Sequence, residues 1–363
     1  MKKRQFLASM LVGGLLASAA PVMAQDYKPM RLKVASNYPA TSLFSRVQQH
    51  YFDQVTKETG GKVTFEWFYG GVLLKATDIF PGMSRGVVDI GYTVPAAFNP
   101  REYPLADITL PFVTENPGAA SMAFRDWYNS NPALQNEFQK NNVHLLLTLP
   151  AAENVLWSMK KVSVAEDLKG MRIRTLLGPA DALTAMGATA VTVPYTDAID
   201  LLSRGGVDAI STTPFEQGVM DGLPNMVNYL SPAARMGIFA TVMTGINLER
   251  WKSFPKPLQD IFTKAANDAL MFYIKEQSAE ADKSVDILLA STKVEVVPMT
   301  PAEEKRWKEM TEAAITQKYL DKAKRAGADG QQLINSYVEL VRKYEKEFPY
   351  VTGIDRYMSK KTK

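Results

Sequence analysis

The chain has 363 residues and no cysteine, which excludes a disulfide framework, thiol catalysis, cysteine zinc sites and a lipid-bearing cysteine. Apolar residues make up 46%, enough at this length to fill two cores of ordinary size. Lys and Arg number 42 against 38 Asp and Glu, and no basic stripe interleaves with aromatics, so nucleic acid is not an expected partner.

Lys2, Lys3 and Arg4 precede an apolar run from Phe6 to Ala20, and Val22-Met23-Ala24 offers small residues where a signal peptidase cuts. Residues 1–24 are expected to be a signal peptide, because the run is shorter than the roughly twenty residues a membrane span needs. Its removal takes three cations and no acid, which leaves the exported chain nearly neutral. Leu32 to Ser36 reads as a strand, Thr41 to Glu58 as an amphipathic helix stopped by Gly60-Gly61, and Lys62 to Tyr69 as a second strand. A connection through Pro100, Pro104 and Pro111 leads to a helix within 118–141 and an apolar strand from Val143 to Leu149. Further strands are predicted near Met171 to Thr175, Ala190 to Val193, Val207 to Ser211 and Gly237 to Leu248. Beyond Pro257 no proline or glycine occurs up to Ser291, and Ile261, Ala265, Ala269, Phe272 and Ile274 recur at helical spacing. A helix of roughly 50 Å results, long enough to tie two lobes together. A short strand from Val294 to Val297 follows, and Thr300-Pro301-Ala302-Glu303 then opens further helices.

One segment occurs twice. Thr77 to Pro95 and Thr196 to Pro214 agree at nine of nineteen positions at a single offset of 119 residues. In each copy Thr-Asp is expected to open a helix, Ser-Arg-Gly to close it, and Val-Asp to lead into a strand ending at a Thr-x-Pro loop. Such a period is too long for a solenoid and predicts two similar α/β lobes. Ligands of open α/β sheets sit at the carboxyl ends of strands, so facing loops imply a clamp. The segmentation expected is 25–150 plus 238–275 for the first lobe and 151–237 plus 276–363 for the second.

Within Asp167 to Thr175, strand alternation puts Arg172 and Arg174 on one face. Arg174 stands at the carboxyl end, where its guanidinium can grip a ligand carboxylate or pair with an acid of its own lobe. Asn37, Tyr38, Tyr92, Trp157, Thr212, Glu216 and Phe239 are further candidates for the cleft wall, each with a scaffold role as the alternative. Glu216-Gln217 could also hold a cation bridging the ligand, but the sequence supplies no complete set of oxygens, so no metal is expected. His50 and His144, the two histidines, stand near no candidate nucleophile. No nucleophile elbow, paired-histidine zinc motif or phosphate loop occurs, and no enzymatic activity or cofactor is expected.

The run Asp167 to Thr175, then Gly187-Ala188, Val193-Pro194-Tyr195 and Gly206-Val207-Asp208, resembles the solute-binding proteins of tripartite ATP-independent periplasmic (TRAP) transporters, the DctP-like family. Gly70-Gly71-x-Leu73-Leu74, Gly86-x-Val88-Asp89-Ile90-Gly91 and Leu110-Pro111-Phe112 extend the resemblance over the mature chain. It implies an α/β fold: a two-lobed periplasmic-binding-protein-like clamp with mixed sheets, crossing strands and a long helix spanning both lobes. It also implies a periplasmic monomer that delivers a small organic acid to the small and large membrane subunits of an ion-coupled permease. An ATP-driven importer or a membrane sensor would be served by the same clamp. By this resemblance Arg174 matches the arginine that pairs with the ligand carboxylate. Asn154 stands where the sialic-acid branch has a second arginine, Thr213 close to its asparagine, Tyr195 at an aromatic packing position, and Val94 where it has an acid. The pocket is therefore expected to be less polar than a sugar site. A C4-dicarboxylate, an oxo or hydroxy acid and an aromatic acid remain open.

Overall fold

The computed structural model describes residues 28–108, 110–291 and 293–361; the expected signal peptide lies outside the described residues. In chain order the strands are β1 (Met30–Ser36), β2 (Val63–Phe68), β3 (Ile90–Thr93), β4 (Val143–Pro150), β5 (Asn154–Ser158) and β6 (Arg172–Arg174). They continue with β7 (Thr189–Val191), β8 (Ala209–Pro214), β9 (Tyr229–Ser231), β10 (Thr241–Asn247) and β11 (Glu295–Val296). One sheet has the order β2-β1-β3-β10-β4 and the other β7-β6-β8-β5-β9-β11. In each sheet the first three strands run parallel and the fourth antiparallel. The fourth strands are β10 and β5, and each is reached by crossing from the other sheet. No helix among the described residues is long and apolar enough to span a membrane.

The repeated segment is the same joint built twice. Asp89 accepts a hydrogen bond from Lys33 N at 2.8 Å and returns one from its own N–H to Lys33 O at 3.1 Å. Asp208 does the same to Arg172, at 2.8 and 2.7 Å. Each aspartate thereby registers its strand against the parallel neighbour, and the bond from Arg172 N holds the Asp208 carboxyl below its ordinary range. Gly86 and Gly205 close the preceding helices at φ 78° and 69°, where a side chain would be strained. The expected threonine caps are not observed, although Asp197 does stand in the first turn of its helix. Asp78 precedes the helix Ile79–Ser84 without a side-chain capping bond, and Thr196-Asp197 lie inside the helix Tyr195–Ser203, which Pro194 begins.

The helix expected within 118–141 is two helices, Pro117–Ser130 and Pro132–Lys140. Pro132 cannot continue the first, and Asn131 turns its amide back onto Trp127 O at 2.7 Å. The long helix, Lys256–Ala290, is a single rod of 35 residues. Leu258, Phe262, Ala269 and Tyr273 pack with Val47, Tyr51 and Phe52 in the first lobe, while Val285 and Leu288 pack with Trp157 and Phe215 in the second. The C-terminal segmentation differs from expectation. In the helix Pro301–Arg325, Trp307 and Ile315 pack in the second lobe, but Tyr319 and Ala323 join the first. The helix Gly330–Glu347 lays Leu333, Tyr337 and Val341 against Phe124 and Trp127 of the first lobe. Further helices are expected here from the sequence, but an apolar helical face does not name its partner.

Where the chain passes between lobes, a buried acidic cluster joins the crossing segments. Glu153, between β4 and β5, accepts from Gly353 N at 2.6 Å and from the Tyr350 hydroxyl at 3.0 Å. Glu216 accepts from Gln277 Nε2 of the long helix at 2.9 Å. Burial, with Glu115 nearby, pushes the Glu153 carboxyl from 4.5 to about 7; burial and then Glu153 push Glu216 well above its ordinary value. Folded protein therefore holds more protons than unfolded chain between pH 4.5 and 7. The stability this group contributes is full below pH 4.5 and is lost as pH rises through about 7. Glu153→Gln should flatten that fall in melting temperature; equal pH slopes for wild type and variant would refute it.

Candidate functional site

The carboxyl ends of β1, β3, β6 and β8 converge on a cavity of about 40 Å³ between the lobes. Asn37, Tyr38, Phe44, Val94 and Phe98 face it from the first lobe. Arg174, Leu176, Tyr195, Thr212, Thr213, Pro214 and Gln217 face it from the second, with Ala151, Ala240 and Val242 from the crossing segments. A water needs roughly 10–15 Å³ by the same measure, so a carboxylic acid of several heavy atoms enters only if the lobes part.

Arg174 is 2% exposed and ends β6. Its Nε donates to Val193 O at 3.0 Å, and Nη1 donates to Ser211 O at 3.3 Å and to Thr212 Oγ1 at 3.2 Å. The Tyr195 ring lies 5.8 Å from the guanidinium carbon. Among the described residues, no carboxylate comes within ion-pair distance of it. The pairing with an acid of the same lobe falls to Arg172 instead, 3.6 Å from Asp208. Burial pushes the Arg174 pKa down to about 10, partly countered by the Tyr38 and Tyr195 hydroxyls, so the group stays cationic at neutral pH. A charge held by neutral partners alone is under-compensated, and an anion would complete it.

Asn154 does not line the cavity; it acts one layer behind. Its Oδ1 accepts from Thr212 N at 2.6 Å and Ser211 Oγ at 2.9 Å. These bonds hold Thr212 at φ 54°, a left-handed conformation that costs a β-branched residue about 1–3 kcal/mol. Thr212 in turn carries the Arg174 contact. Tyr92 is also second-layer: its ring backs Tyr38 in parallel at 6.3 Å, and its hydroxyl meets Ser45 Oγ at 2.9 Å.

Three further candidates lie elsewhere. Trp157 is core, stacked with Phe215 at 6.4 Å and seated on Gly218. Phe239 packs with Ala233, Ala234 and Met236 in the second-lobe core. Glu216 turns its carboxylate to Gln277, while its neighbour Gln217 faces the cavity. That one-residue error follows from the helix beginning at Phe215, whose register the sequence does not reveal. Phe44, Phe98 and Leu176 were missed because an aromatic or aliphatic side chain carries the same signal in a cavity wall as in a core. The histidines have structural roles: His50 stacks on Phe272 at 4.0 Å and His144 on Trp251 at 4.2 Å, with burial lowering His144 to about 4.

Residues 35–322 match the model of bacterial extracellular solute-binding proteins, family 7, known as DctP. The chain belongs to that family. A solute-binding protein of Albidiferax ferrireducens is 24% identical over 332 residues, covering 88% of this chain and 95% of the relative. A monocarboxylate 2-oxoacid-binding periplasmic protein of Nostoc sp. is 23% identical over 245 residues, 65% of each chain. A TRAP solute-binding protein of Rhodoferax ferrireducens, in complex with copurified benzoate, superposes with a TM-score of 0.78 at 23% identity, over 87% of this chain and 99% of that one. A Bordetella bronchiseptica protein with bound (R)- and (S)-mandelate gives 0.74 at 24% identity, over 87% and 100%. The two-lobed α/β fold is thus that of TRAP solute-binding proteins, and in this DctP-family chain a buried arginine, Arg174, stands in the wall of the interlobe cavity.

Proposed function

We propose that this protein is a periplasmic binding protein that captures a small organic acid in the interlobe cavity and delivers it to the membrane subunits of an ion-coupled TRAP permease. The observation that carries the reading is Arg174: a buried cation with no carboxylate partner among the described residues, at the carboxyl ends of strands, roofed by the other lobe. Similar proteins bound to benzoate, mandelate, succinate and orotate support an acid as the ligand. Ligand stabilises the closed arrangement because only there do Arg174 and the first-lobe residues Asn37 and Tyr38 reach it together. Micromolar affinity needs about 8 kcal/mol. A charge-assisted contact contributes about 1.5–3 kcal/mol of it, so burial of an apolar body must supply much of the rest. No chemical conversion is part of this role.

A thermal-shift screen of residues 25–363 against small organic acids tests capture. An acid present at a hundred times its dissociation constant adds about 2.7 kcal/mol to the folded state, a clear rise in melting temperature. A flat response across monocarboxylates, dicarboxylates and oxo acids would remove the proposal. Delivery is tested by uptake of the hit acid in cells with and without the gene; equal rates would show that the permease does not depend on this chain.

A further inference from the structure

Resting on the reading of the cavity as the ligand site, we infer a narrower ligand class: a small aromatic monocarboxylate carrying a ring hydroxyl, whose hydroxyl is read by Asn37.

The charge count is the first step. Among the described residues, Arg174 is the only charged one lining the cavity; every other wall residue is neutral. One carboxylate balances it. A second carboxylate on the same ligand would be buried with no cation to meet it, the arrangement that low-dielectric sites penalise most. Dicarboxylates are therefore disfavoured, and so are zwitterions, whose ammonium finds no acid in the wall.

The body of the ligand is set by the rings. Tyr38 and Phe44 lie 5.2 Å apart in a tilted pair, and Tyr38 is backed in parallel by Tyr92, so a fixed flat surface faces the cavity. Phe98, Val94 and Leu176 add apolar wall. A flat apolar ring gains both area burial and an aromatic contact there, which a branched or short aliphatic acid does not.

The polar atoms left over supply the hydroxyl. Asn37 Oδ1 and Thr213 Oγ1 both line the cavity, both are buried, and neither has a hydrogen-bond partner. Buried polar atoms without partners are uncommon and costly. Thr213 belongs to the same lobe as Arg174 and follows Thr212, which bonds that arginine, so its hydroxyl can donate a second bond to the carboxylate. Asn37 belongs to the opposite lobe, and its amide oxygen needs a donor that a carboxylate cannot provide. A hydroxyl at the far side of the ring provides one, and the molecule then bridges the two lobes by its two polar ends.

The test is calorimetry on residues 25–363 with 3- and 4-hydroxybenzoate, benzoate, cyclohexanecarboxylate, pyruvate and succinate. At least one hydroxybenzoate should bind about tenfold tighter than benzoate, benzoate tighter than cyclohexanecarboxylate, and succinate at least a hundredfold weaker than the best ligand. Asn37→Leu, close in volume, should erase the preference for hydroxybenzoate over benzoate, so that the two acids bind with equal affinity. Succinate or pyruvate matching the best aromatic acid would overturn the ligand class while leaving acid capture standing. Hydroxybenzoates no tighter than benzoate on the wild type would overturn the role of Asn37, whether or not the variant folds. Binding of none of the six acids would overturn the cavity reading itself, and this inference with it.

Discussion

Arg174→Ala should weaken carboxylate binding by roughly 30- to 4,000-fold, the equivalent of about 2–5 kcal/mol for deleting one side of a buried hydrogen-bonded charge pair. The protein should still fold. The guanidinium is held by backbone carbonyls and one hydroxyl rather than by an acid, so its removal strands no buried carboxylate. Arg174→Lys should recover only part of the affinity. An ammonium keeps the charge but cannot present two parallel N–H groups to a carboxylate while also reaching Val193 O and Thr212. Calorimetry with any acid found in the screen decides the matter: an affinity within twofold of wild type for Arg174→Ala would leave the cavity without its anchoring charge and the proposed function without its support.

Trp157→Ala should act on the fold rather than on the site, costing about 3–5 kcal/mol of stability, as large-to-small changes of buried aromatics do. That is a large share of the roughly 5–15 kcal/mol that holds a typical domain together. The indole is fully buried among Val155, Ile210, Phe215 and Val219, and a Cβ built on Gly218 would lie 2.4 Å from it. A glycine there is what lets the helix Phe215–Met220 approach the ring, so no small movement fills the hole. Trp157→Phe should cost much less, because the indole N–H has no acceptor and its loss breaks no bond. Urea unfolding gives the stabilities, and ligand affinity of the folded variants should stay within about threefold of wild type. Unchanged stability with lost affinity would move Trp157 back to the cavity wall, where sequence reasoning had placed it among the candidates.

The two tryptophan and arginine cases show where sequence reasoning reached and where it stopped. Arg174 stands out in the sequence because it is a cation at the carboxyl end of a strand, on the opposite face from Met171 and Ile173, and the family resemblance, not the spacing, favours a ligand over an ion pair there. Choosing between ligand and ion pair needed the third dimension. Asp208, the acid that could have neutralised the strand's arginines, is turned to Arg172 and to the backbone of the neighbouring strand. Asn154, a site candidate in the sequence, lies behind the cavity wall: it shapes Thr212, and Thr212 touches Arg174. Glu216 and Gln217 were one helical residue out of register. Trp157, Phe239 and Tyr92 were indistinguishable from wall residues because burial in a core and burial in a closed cavity select the same side chains.

From the sequence alone came the two-lobed α/β plan, because a repeated joint of helix, glycine and Val-Asp strand can be read twice at one offset, and the length of the rod that ties the lobes, because no proline or glycine occurs from Leu258 to Ser291. Local chemistry decides these, and local chemistry is written in order along the chain. Tertiary structure decided which lobe the C-terminal helices join, which aromatics face the interlobe cavity rather than a core, and that among the described residues no acid reaches Arg174 while Glu153 and Glu216 share a buried crossing. Those facts depend on which distant segments meet, and residues such as Glu153 and Gly353, two hundred positions apart in sequence yet 2.6 Å apart in space, leave no periodic trace of their meeting.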